Sequence, residues 1–529
     1  MKRILARIFA MGSVLVLASC ATPAKEQSLV SRAVDAMGGV ERFAALQTVA
    51  AKGTLKQWEP EQSDMAGGEA RFANDTSFEI LQDRSKRASR TDLERRFAYP
   101  TPRTFKFTEI VMPDSGYVLG VDSNSRNAQN QKTNPPAHAM SSLRLAASQR
   151  EALRATVSGL LLAMRADPTQ VRPALDMEIG SQRYPAVGYG PFTVAFDPKS
   201  GLPVRIRTLD YDGIWGDVTY DEVLSDWRDF NGVKVSMNRK YELNGRVVQD
   251  VQLTDFQANP AIDPKNFDVP AELRAGAAKP AAGNVPYQWV IRRQFIGIYL
   301  DSENTSYDSA ASQGLRLNEI APGVVHVVGG THNSLLVEMA DHLVMVDAPI
   351  SDAQSIWVVN AARQRFPGKP IRWLVLTHHH MDHAGGLRGV LGEGAVLVVG
   401  QGTAQHYRKV LASPMQRNPD MKPMDFSGVQ ILEIPDSHVM TDSKGRQVVA
   451  YAMLDNPHAK GLLMVYVPDA KLGFVTDVWS PGAPLPDKPN AALISVVRTV
   501  QRAGIQPERF AGGHGSVAPY EALTKLTGN

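Results

Sequence analysis

The first half of the chain alternates apolar and polar residues over short stretches, and this pattern predicts a β-rich domain over residues 25–273. Asn244-Gly245 stands between two apolar stretches and predicts a type I′ hairpin. The amphipathic residues 29–46 predict a helix that opens the domain, and a second helix is expected over residues 141–165. Together these elements predict an antiparallel sheet with helices.

The second half has a different pattern, in which short apolar runs of strand length end in polar residues. Residues 371–376 form such a run and precede a predicted helix. Between the halves, residues 274–286 are mostly small and include proline and glycine, which is typical of a linker. The length also predicts more than one domain. We therefore predict an α+β protein with a first domain over residues 25–273, a linker and connecting segment over residues 274–314, and a second domain over residues 315–529.

The first twenty residues have the pattern of a secretory signal. Residues 1–7 are basic, and residues 8–17 are apolar but too short to span a bilayer. The sequence Leu-Ala-Ser-Cys that follows resembles the bacterial lipobox, whose cysteine is lipidated. Cys20 is the single cysteine among 529 residues, so we predict that residues 1–19 are a lipoprotein signal peptide; an ordinary signal peptide cut nearby is the alternative. Ala21 resembles the signal for sorting to the outer membrane, facing the periplasm.

The formal net charge of +3 belongs to the predicted targeting segment. Lys2, Arg3 and Arg7 lie in this segment without any acidic residue, so the chain that follows is close to neutral. The sequence shows no cluster or stripe of lysine and arginine, which argues against nucleic-acid binding. A membrane, contacted through a lipid on Cys20, is therefore an expected partner and nucleic acid is not.

A six-residue run that follows the predicted strand carries the most specific chemical signal. His378, His380, Asp382 and His383 stand in the pattern HxHxDH, and imidazole and carboxylate are the ligands that divalent zinc and its neighbours prefer. Histidine is scarce, at 12 of 529 residues, so a chance match is improbable. Four ligands within six residues cannot all reach one small ion, but a tight turn can divide them between two ions. The run therefore predicts a two-metal hydrolytic centre.

Other residues complete or border this predicted centre. His379 lies between two ligands and is expected to point away from the metals, because side chains alternate in an extended segment. Later in the chain, His458, Asp477 and His514 each follow a short apolar stretch or stand among glycines. One such residue alone is more often structural. In this order after the run, the three predict the remaining metal ligands.

This ligand pattern resembles the metallo-β-lactamase fold superfamily over roughly residues 315–529. The resemblance implies an αββα sandwich that holds two divalent ions, with zinc as the expected metal. Asp477 and His383 are similar to residues of the glyoxalase II, lactonase and phosphodiesterase branches. True β-lactamases typically lack the bridging carboxylate, and alkyl sulfatases of this superfamily use a glutamate bridge. The implied arrangement has one ion on three histidines, a second on an aspartate and two histidines, and one bridging aspartate: His378, His380 and His458; Asp382, His383 and His514; Asp477.

The implied reaction is hydrolysis by a hydroxide that bridges the ions, without a serine or cysteine nucleophile. The target is an ester-like bond of a small molecule, and lactone, thioester, phosphodiester and β-lactam substrates all suit it. Asp382 is a ligand with a further catalytic role, steering the proton of the water. The resemblance places Asp347 behind the ligands, where imidazoles donate their second N–H. His332 and Asn333 are expected to contact substrate, and a plain hairpin turn is the alternative.

The first domain resembles the half-barrel of lipoprotein carriers, which holds acyl chains in a concave face. This resemblance rests on element order and weak phrases such as residues 230–235, and a scaffold that holds the hydrolase away from the membrane is the alternative. Two other functions stay open: a binding or carrier lipoprotein whose metal domain is secondary, and a metal-site redox or oxygen enzyme. Diiron members of the superfamily carry an acidic residue where His380 stands, so zinc is favoured. The sequence thus favours a lipid-anchored, two-metal hydrolase.

Overall fold

The computed structural model describes most of the chain, comprising residues 24–99, 102–122, 136–282, 314–330 and 332–528. The predicted signal peptide, Cys20 and most of the connecting segment lie outside these residues. Among the helices that the structure describes, none combines the length and apolarity needed to cross a membrane.

A large antiparallel sheet dominates the N-terminal half. The strands described there are β1 (Thr48–Glu59), β2 (Arg71–Asp83), β3 (Ala88–Phe97), β4 (Arg103–Val111), β5 (Gly116–Gly120), β6 (Ala137–Ala139), β7 (Val171–Pro173), β8 (Met177–Ile179), β9 (Gln182–Tyr184), β10 (Ala186–Tyr189), β11 (Phe192–Phe196), β12 (Pro203–Asp212), β13 (Gly216–Phe230), β14 (Val233–Leu243) and β15 (Arg246–Ala258). Strands β8 and β9 form a separate hairpin. Within the described residues, the other strands form one sheet in the order β6-β5-β4-β3-β2-β1-β15-β14-β13-β12-β11-β10-β7.

Helices pack on this sheet, as the sequence predicts, but with different bounds. The helices described here are α1 (Ala24–Ala36), α2 (Val40–Ala45), α3 (Ser142–Ala155), α4 (Val157–Ala166) and α5 (Ala271–Arg274), with 3₁₀ turns at Pro60–Gln62, Pro168–Gln170 and Pro264–Phe267. The helix predicted over residues 29–46 is divided because Gly38 and Gly39 have φ angles of 130° and 90°, outside the helical region. A Cβ atom on Gly38 would lie 2.1 Å from the carbonyl oxygen of Gly232. Glycine is therefore required where the two helices meet the β13–β14 hairpin.

The hairpin predicted from Asn244-Gly245 is confirmed. The two residues join β14 and β15, and their φ angles of 48° and 79° are those that a type I′ turn requires. The prediction of an α+β protein with a large N-terminal antiparallel sheet is confirmed as well. The half-barrel shape of that sheet stays a prediction.

Two sheets form the C-terminal half. In the part of this half that the structure describes, one sheet runs in chain order through β16 (Arg316–Ala321), β17 (Val324–Val328), β18 (Ser334–Glu338), β19 (Leu343–Val346), β20 (Ile371–Val375), β21 (Val396–Gly400) and β22 (Ile431–Ile434). The second runs through β23 (Ser437–Thr441), β24 (Gln447–Ala452), β25 (Leu463–Val467), β26 (Leu472–Val475), β27 (Arg509–Gly512) and β28 (Val517–Pro519). Strands β19 to β22 are parallel, as are β26 and β27.

Helices cover both sheets, which gives four layers. They are α6 (Asp352–Arg365), α7 (Met381–Ala384), α8 (Leu387–Leu391), α9 (Ala404–Leu411), α10 (Ala491–Ala503) and α11 (Glu521–Thr527), with a 3₁₀ turn at Pro468–Ala470. Val344 of the first sheet and Phe474 of the second belong to one buried cluster between the sheets. On the outer faces, Leu374 clusters with Val358 of α6, and the second sheet clusters with Val496 of α10. The alternation of apolar side chains along each strand thus produces an αββα sandwich.

The two halves share a buried interface beside the histidine-rich run. Tyr211 and Ile214, at the turn between β12 and β13, are 3% and 1% exposed and join the apolar cluster under α6. Arg388 of α8 is fully buried and donates to the carbonyl oxygens of Gly213 and Ile214. A Cβ atom on Gly213 would lie 2.8 Å from the carbonyl oxygen of Gly385. The N-terminal hairpin therefore touches the backbone that follows the predicted ligands.

Candidate metal centre

The histidine-rich run lies at the carboxyl end of β20, where the sequence predicts it. His380 has an extended backbone, with φ −65° and ψ 145°, and α7 begins at the next residue. His378 and His380 therefore stand on an extended segment, whereas Asp382 and His383 stand on the first helical turn. This change of backbone directs the side chains into two groups, as the pattern predicts.

One group of ligand atoms comes from His378, His380, His458 and Asp477. The Nε2 atom of His458 lies 3.2 Å from Nε2 of His378 and 3.0 Å from Nδ1 of His380. It lies 2.9 Å from Oδ2 of Asp477. A tetrahedral ion with metal–nitrogen bonds of about 2.0–2.1 Å keeps its ligand nitrogens roughly 3.3 Å apart. The spacing and chemistry of this group therefore suit a divalent metal ion.

A second group comes from His332, Asp382, His383 and His514. Nε2 of His332 lies 3.1 Å from Oδ2 of Asp382, and Nε2 of His383 lies 3.9 Å from the same oxygen. Asp477 borders the other side of this group. Its Oδ1 atom lies 2.5 Å from Nε2 of His514, and its Oδ2 atom lies 3.2 Å from Nε2 of His383. This group also has the donor set of a metal site.

Asp477 lies between the two groups. Its Oδ1 atom faces His514 at 2.5 Å, whereas its Oδ2 atom faces His378 at 3.1 Å and His458 at 2.9 Å. The residue follows β26 and has a φ angle of 61°. A left-handed backbone costs a non-glycine residue about 1–3 kcal/mol, and the surrounding fold must compensate for this cost. The fold thus holds this carboxylate in a strained position between two sets of imidazoles.

Asp347 supports His383 from behind, in the position that the resemblance implies. Its Oδ2 atom accepts a hydrogen bond from Nδ1 of His383 at 3.0 Å. Thr377 donates to the same carboxylate from its backbone N–H at 2.7 Å and from its hydroxyl at 2.9 Å. The N–H at Nδ1 leaves Nε2 of His383 free to act as a ligand.

The protonation states favour metal binding. Burial lowers the pKa of His378 to about 4 and that of His332 to about 3, so both imidazoles are neutral near pH 7. Burial acts to lower the pKa of His383 too, but Asp477 and Asp347 outweigh it and raise this pKa well above 6.5. Burial disfavours the charge of Asp477, but His383, His458 and His514 outweigh it and lower its pKa well below 3.8. His378, His332 and the ionised Asp477 are thus ready to donate to a divalent cation, whereas His383 holds a proton that such a cation would displace.

The other predicted site residues take different places. His379 lies outside both groups, as expected, and its Nε2 atom donates to the carbonyl oxygen of Ser63 at 2.9 Å. His332 was expected to contact substrate, but it lies within the second group of ligand atoms. The side-chain nitrogen of Asn333 donates to the carbonyl oxygens of Gly512 and Gly515. Asn333 thus holds the loop that carries His514, and this amide nitrogen is fully used within the fold.

The N-terminal half supplies side chains that the sequence analysis missed. Gln62 donates to Asp382, and Tyr99 donates to Gln62. The backbone oxygen of Ser63 accepts from His380, and the side chain of Arg71 donates to the backbone oxygen of His458. These residues match no motif, and the hydrogen bond from Gln62 to Asp382 joins positions 320 residues apart. Only the folded structure brings them together.

The centre is most accessible near His514 and His458. Their side chains are 28% and 14% exposed, whereas the side chains of His378 and His383 are fully buried. A substrate can therefore approach from the side of His514 and His458, where each group of ligand atoms has one exposed imidazole.

Comparisons with known proteins give a family match and similar solved structures. Residues 327–516 match the family model of the metallo-beta-lactamase superfamily. Among solved structures, the stereoselective inverting sec-alkylsulfatase Pisa1 from Pseudomonas sp. is similar, with 18% identity over 40% of this chain and 40% of that chain and a TM-score of 0.31. A metallo-beta-lactamase from Pontibacter korlensis has 18% identity over 40% of this chain and 97% of its own, with a TM-score of 0.31. No curated protein sequence matches.

The family match covers most of the C-terminal half of the chain and includes the histidine-rich run. Residues 327–516 form a metallo-beta-lactamase superfamily domain. The predicted superfamily is confirmed for these residues, and the predicted enzyme class is consistent with this match. The sulfatase is longer than the region of similarity, since only 40% of it is covered.

Proposed function

We propose that this chain is a dinuclear zinc hydrolase that cleaves an ester-like bond. The observation that carries the proposal is the position of Asp477, whose carboxylate contacts His378 and His458 of the first group and His383 and His514 of the second. A carboxylate so placed is suited to bridge two ions. When bound, the two ions supply a water of lowered pKa and polarise the oxygen of the electrophile. Imidazole and carboxylate ligands without thiolate suit zinc in an exported protein.

The chain's own residues orient and protect this chemistry. Asp382 is the carboxylate that we assign to the proton of the attacking water, because it stands in the second group with its Oδ1 atom fixed by Gln62. Oδ2 then faces His332 and His383. The buried imidazoles exclude bulk water from the rear of the centre, while His458 and His514 border the side from which substrate arrives. Lactone, thioester, phosphodiester and β-lactam groups all remain suitable substrates.

The proposal is tested by metal content and by a screen for hydrolysis. Protein purified in zinc-containing buffer is expected to hold about two divalent ions per chain. It should hydrolyse a substrate of at least one of the four ester-like classes, lose this activity on treatment with a strong chelator, and regain it with zinc. Elemental analysis and product assays provide the measurements. A folded protein that holds no metal after this purification would contradict the proposal.

We further propose that the hydrolase is anchored in the cell envelope through Cys20. The support is the sequence alone, in which the single cysteine ends a lipobox-like segment. Cys20→Ser is expected to abolish incorporation of labelled palmitate and to move the protein out of the outer-membrane fraction in a Gram-negative host. A mutation of the neighbouring Ala24 to serine serves as the control. An unchanged mass and unchanged fractionation of the Cys20→Ser protein would refute the anchor.

A second candidate function is the binding of an apolar ligand by the N-terminal half. A pocket there is lined by apolar residues such as Leu46, Val49 and Phe256, and also by Arg84 and Arg239. These two arginines would suit a ligand with an anionic group. The cavity measures about 100 Å³, whereas a cavity of about 150 Å³ holds benzene. Such a space suits a short apolar group better than an acyl chain, and we therefore rank this function second.

A further inference from the structure

We propose that the N-terminal domain is part of the metal centre, with Gln62 as a positioning residue for Asp382 that is itself held by Tyr99. The inference rests on the proposed function, since it concerns the same pair of ion sites. It adds that three ligands of the C-terminal domain, Asp382, His380 and His458, are oriented by hydrogen bonds from the first domain.

The contact begins where β1 ends. The chain leaves β1 at Glu59, forms the 3₁₀ turn Pro60–Gln62, and continues through Ser63. The side chain of Glu59 accepts a hydrogen bond from the backbone N–H of Glu61 and thereby stabilises the turn. Gln62 and Ser63 are 3% and 1% exposed, although they lie in a connection between two strands. This connection is therefore buried against the metal centre, not solvated as most loops are.

A directed chain of hydrogen bonds leads from Tyr99 to the second group of ligands. Nε2 of Gln62 donates to Oδ1 of Asp382 at 2.7 Å, and the hydroxyl of Tyr99 donates to Oε1 of Gln62 at 2.6 Å. The order of donors is fixed, because an ionised carboxylate only accepts and the amide oxygen only accepts. Burial, with the negative charges of Asp382 and Asp477, raises the pKa of Tyr99 far above its usual value, so the phenol keeps its proton. Asp382 is thus held in one orientation by the hydrogen bond to Oδ1, the oxygen that does not face His332 and His383.

The same connection also orients a ligand of the first group. Nε2 of His380 donates to the backbone oxygen of Ser63 at 2.9 Å. Nδ1 of His380 then faces the ligand atoms, 3.0 Å from Nε2 of His458. A ligating imidazole usually donates its second N–H to a carbonyl or carboxylate, which fixes the tautomer. Here the acceptor that does this comes from the other domain.

A third ligand depends on the same region. Arg71, at the start of β2, donates to the backbone oxygen of His458 at 3.0 Å. Its guanidinium lies 4.5 Å from the centre of the Tyr99 ring, a cation–π distance. Tyr99 therefore contacts both the residue that holds Asp382 and the residue that holds the loop of His458. The N-terminal domain thus supports Asp382, His380 and His458 through atoms that do not face the proposed metal sites.

The test compares two buried substitutions with a matched exposed pair. Gln62→Leu removes the donor to Asp382, and Tyr99→Phe removes one oxygen while it keeps the ring on Arg71. The control variants are Gln182→Leu and Tyr184→Phe, because Tyr184 also donates to Gln182, at 3.2 Å, in an exposed hairpin. The affinity for each zinc ion is measured by competition with a coloured chelator, and the visible spectrum of the cobalt-substituted protein reports the geometry of its ligands. Melting temperature and circular dichroism report folding.

We expect Gln62→Leu to lower the affinity for zinc at the second group, which contains Asp382, about tenfold or more. Loss of a supporting hydrogen bond typically has this effect on metal affinity. Tyr99→Phe should lower the affinity for zinc at the same group by roughly threefold, and both variants should change the spectrum of the cobalt-substituted protein. The first ion and the control variants should keep wild-type affinity. A merely structural role would lower the melting temperature without this difference between the two ions.

The possible failures are distinguishable. If wild-type protein binds two ions and the two buried variants bind both with wild-type affinity, the inference about the N-terminal domain is overturned and the proposed function stands. If wild-type protein binds no ions, the proposed function itself fails. Should Gln62→Leu fail to fold, Tyr99→Phe decides the matter alone, because it removes a single atom and leaves the packing of the ring intact.

Discussion

Asp477→Ala is expected to release at least one of the two metal ions and to lower kcat/KM by roughly a thousandfold or more. The physical reason is that the carboxylate of Asp477 contacts imidazoles of both groups of ligand atoms. Without it, both proposed ion sites lose their shared anionic ligand, and the repulsion between two nearby cations is no longer screened.

Asp477→Asn provides a second measurement on the same site. It keeps the shape of the side chain and one oxygen acceptor but removes the charge. We therefore expect it to lose nearly as much activity as Asp477→Ala and to retain the fold better. Asp469→Ala is a suitable control, since Asp469 is 54% exposed and pairs with Arg446 away from the centre. Elemental analysis gives metal content, and steady-state kinetics gives kcat/KM. An alanine variant with two bound ions and wild-type turnover would contradict the role of Asp477.

Arg388→Met is expected to lower the free energy of unfolding by on the order of 3 kcal/mol. Arg388 is fully buried and donates to the carbonyl oxygens of Gly213, Ile214 and Val410. Methionine fills a similar volume but cannot donate, so all three oxygens would lose the Arg388 donor, although Val410 keeps its hydrogen bond from the backbone N–H of Ser413. Because Gly213 and Ile214 belong to the N-terminal hairpin, the loss falls on the interface between the halves.

Denaturant unfolding followed by fluorescence or circular dichroism measures this change. Arg372→Met is the control, because Arg372 is 59% exposed and lies 4.0 Å from Asp341, and an exposed pair of this kind contributes little. We expect the control to stay within about 0.5 kcal/mol of wild type. Equal stability of Arg388→Met and wild type would show that the three carbonyl oxygens find other donors.

The predictions that succeed depend on short-range patterns. The run from His378 to His383 predicts two groups of ligands because the change from strand to helix occurs within six residues of sequence. The hairpin at Asn244-Gly245 is likewise encoded by two residues with a conformational preference. The split of the first helix was missed although Gly38 and Gly39 are adjacent, because amphipathic periodicity continues across them. Here a local backbone requirement, imposed by the approach of the β13–β14 hairpin, overrides the pattern.

The hydrogen bonds from the N-terminal half to the metal ligands could not be predicted from the sequence, and the reason is different. Gln62, Ser63 and Tyr99 are ordinary polar residues of a β-rich domain, and no spacing connects them with Asp382. Their role follows from how two domains pack, which depends on many weak contacts over long sequence separations. Asn333 shows the same limit: its place near the site was anticipated, but its use in holding the loop of His514 depends on the arrangement of two distant carbonyl groups.

The backbone contact between Gly213 and Gly385 has a consequence for the ancestry and engineering of this protein. A side chain at position 213 would collide with the carbonyl oxygen of Gly385, so the tip of a hairpin in one domain is constrained by a turn in the other. The halves are therefore not interchangeable modules. A C-terminal domain joined to a different N-terminal domain would need a hairpin tip that fits this turn. In related chains with both domains, position 213 is expected to stay glycine wherever this hairpin packs against the carbonyl of residue 385.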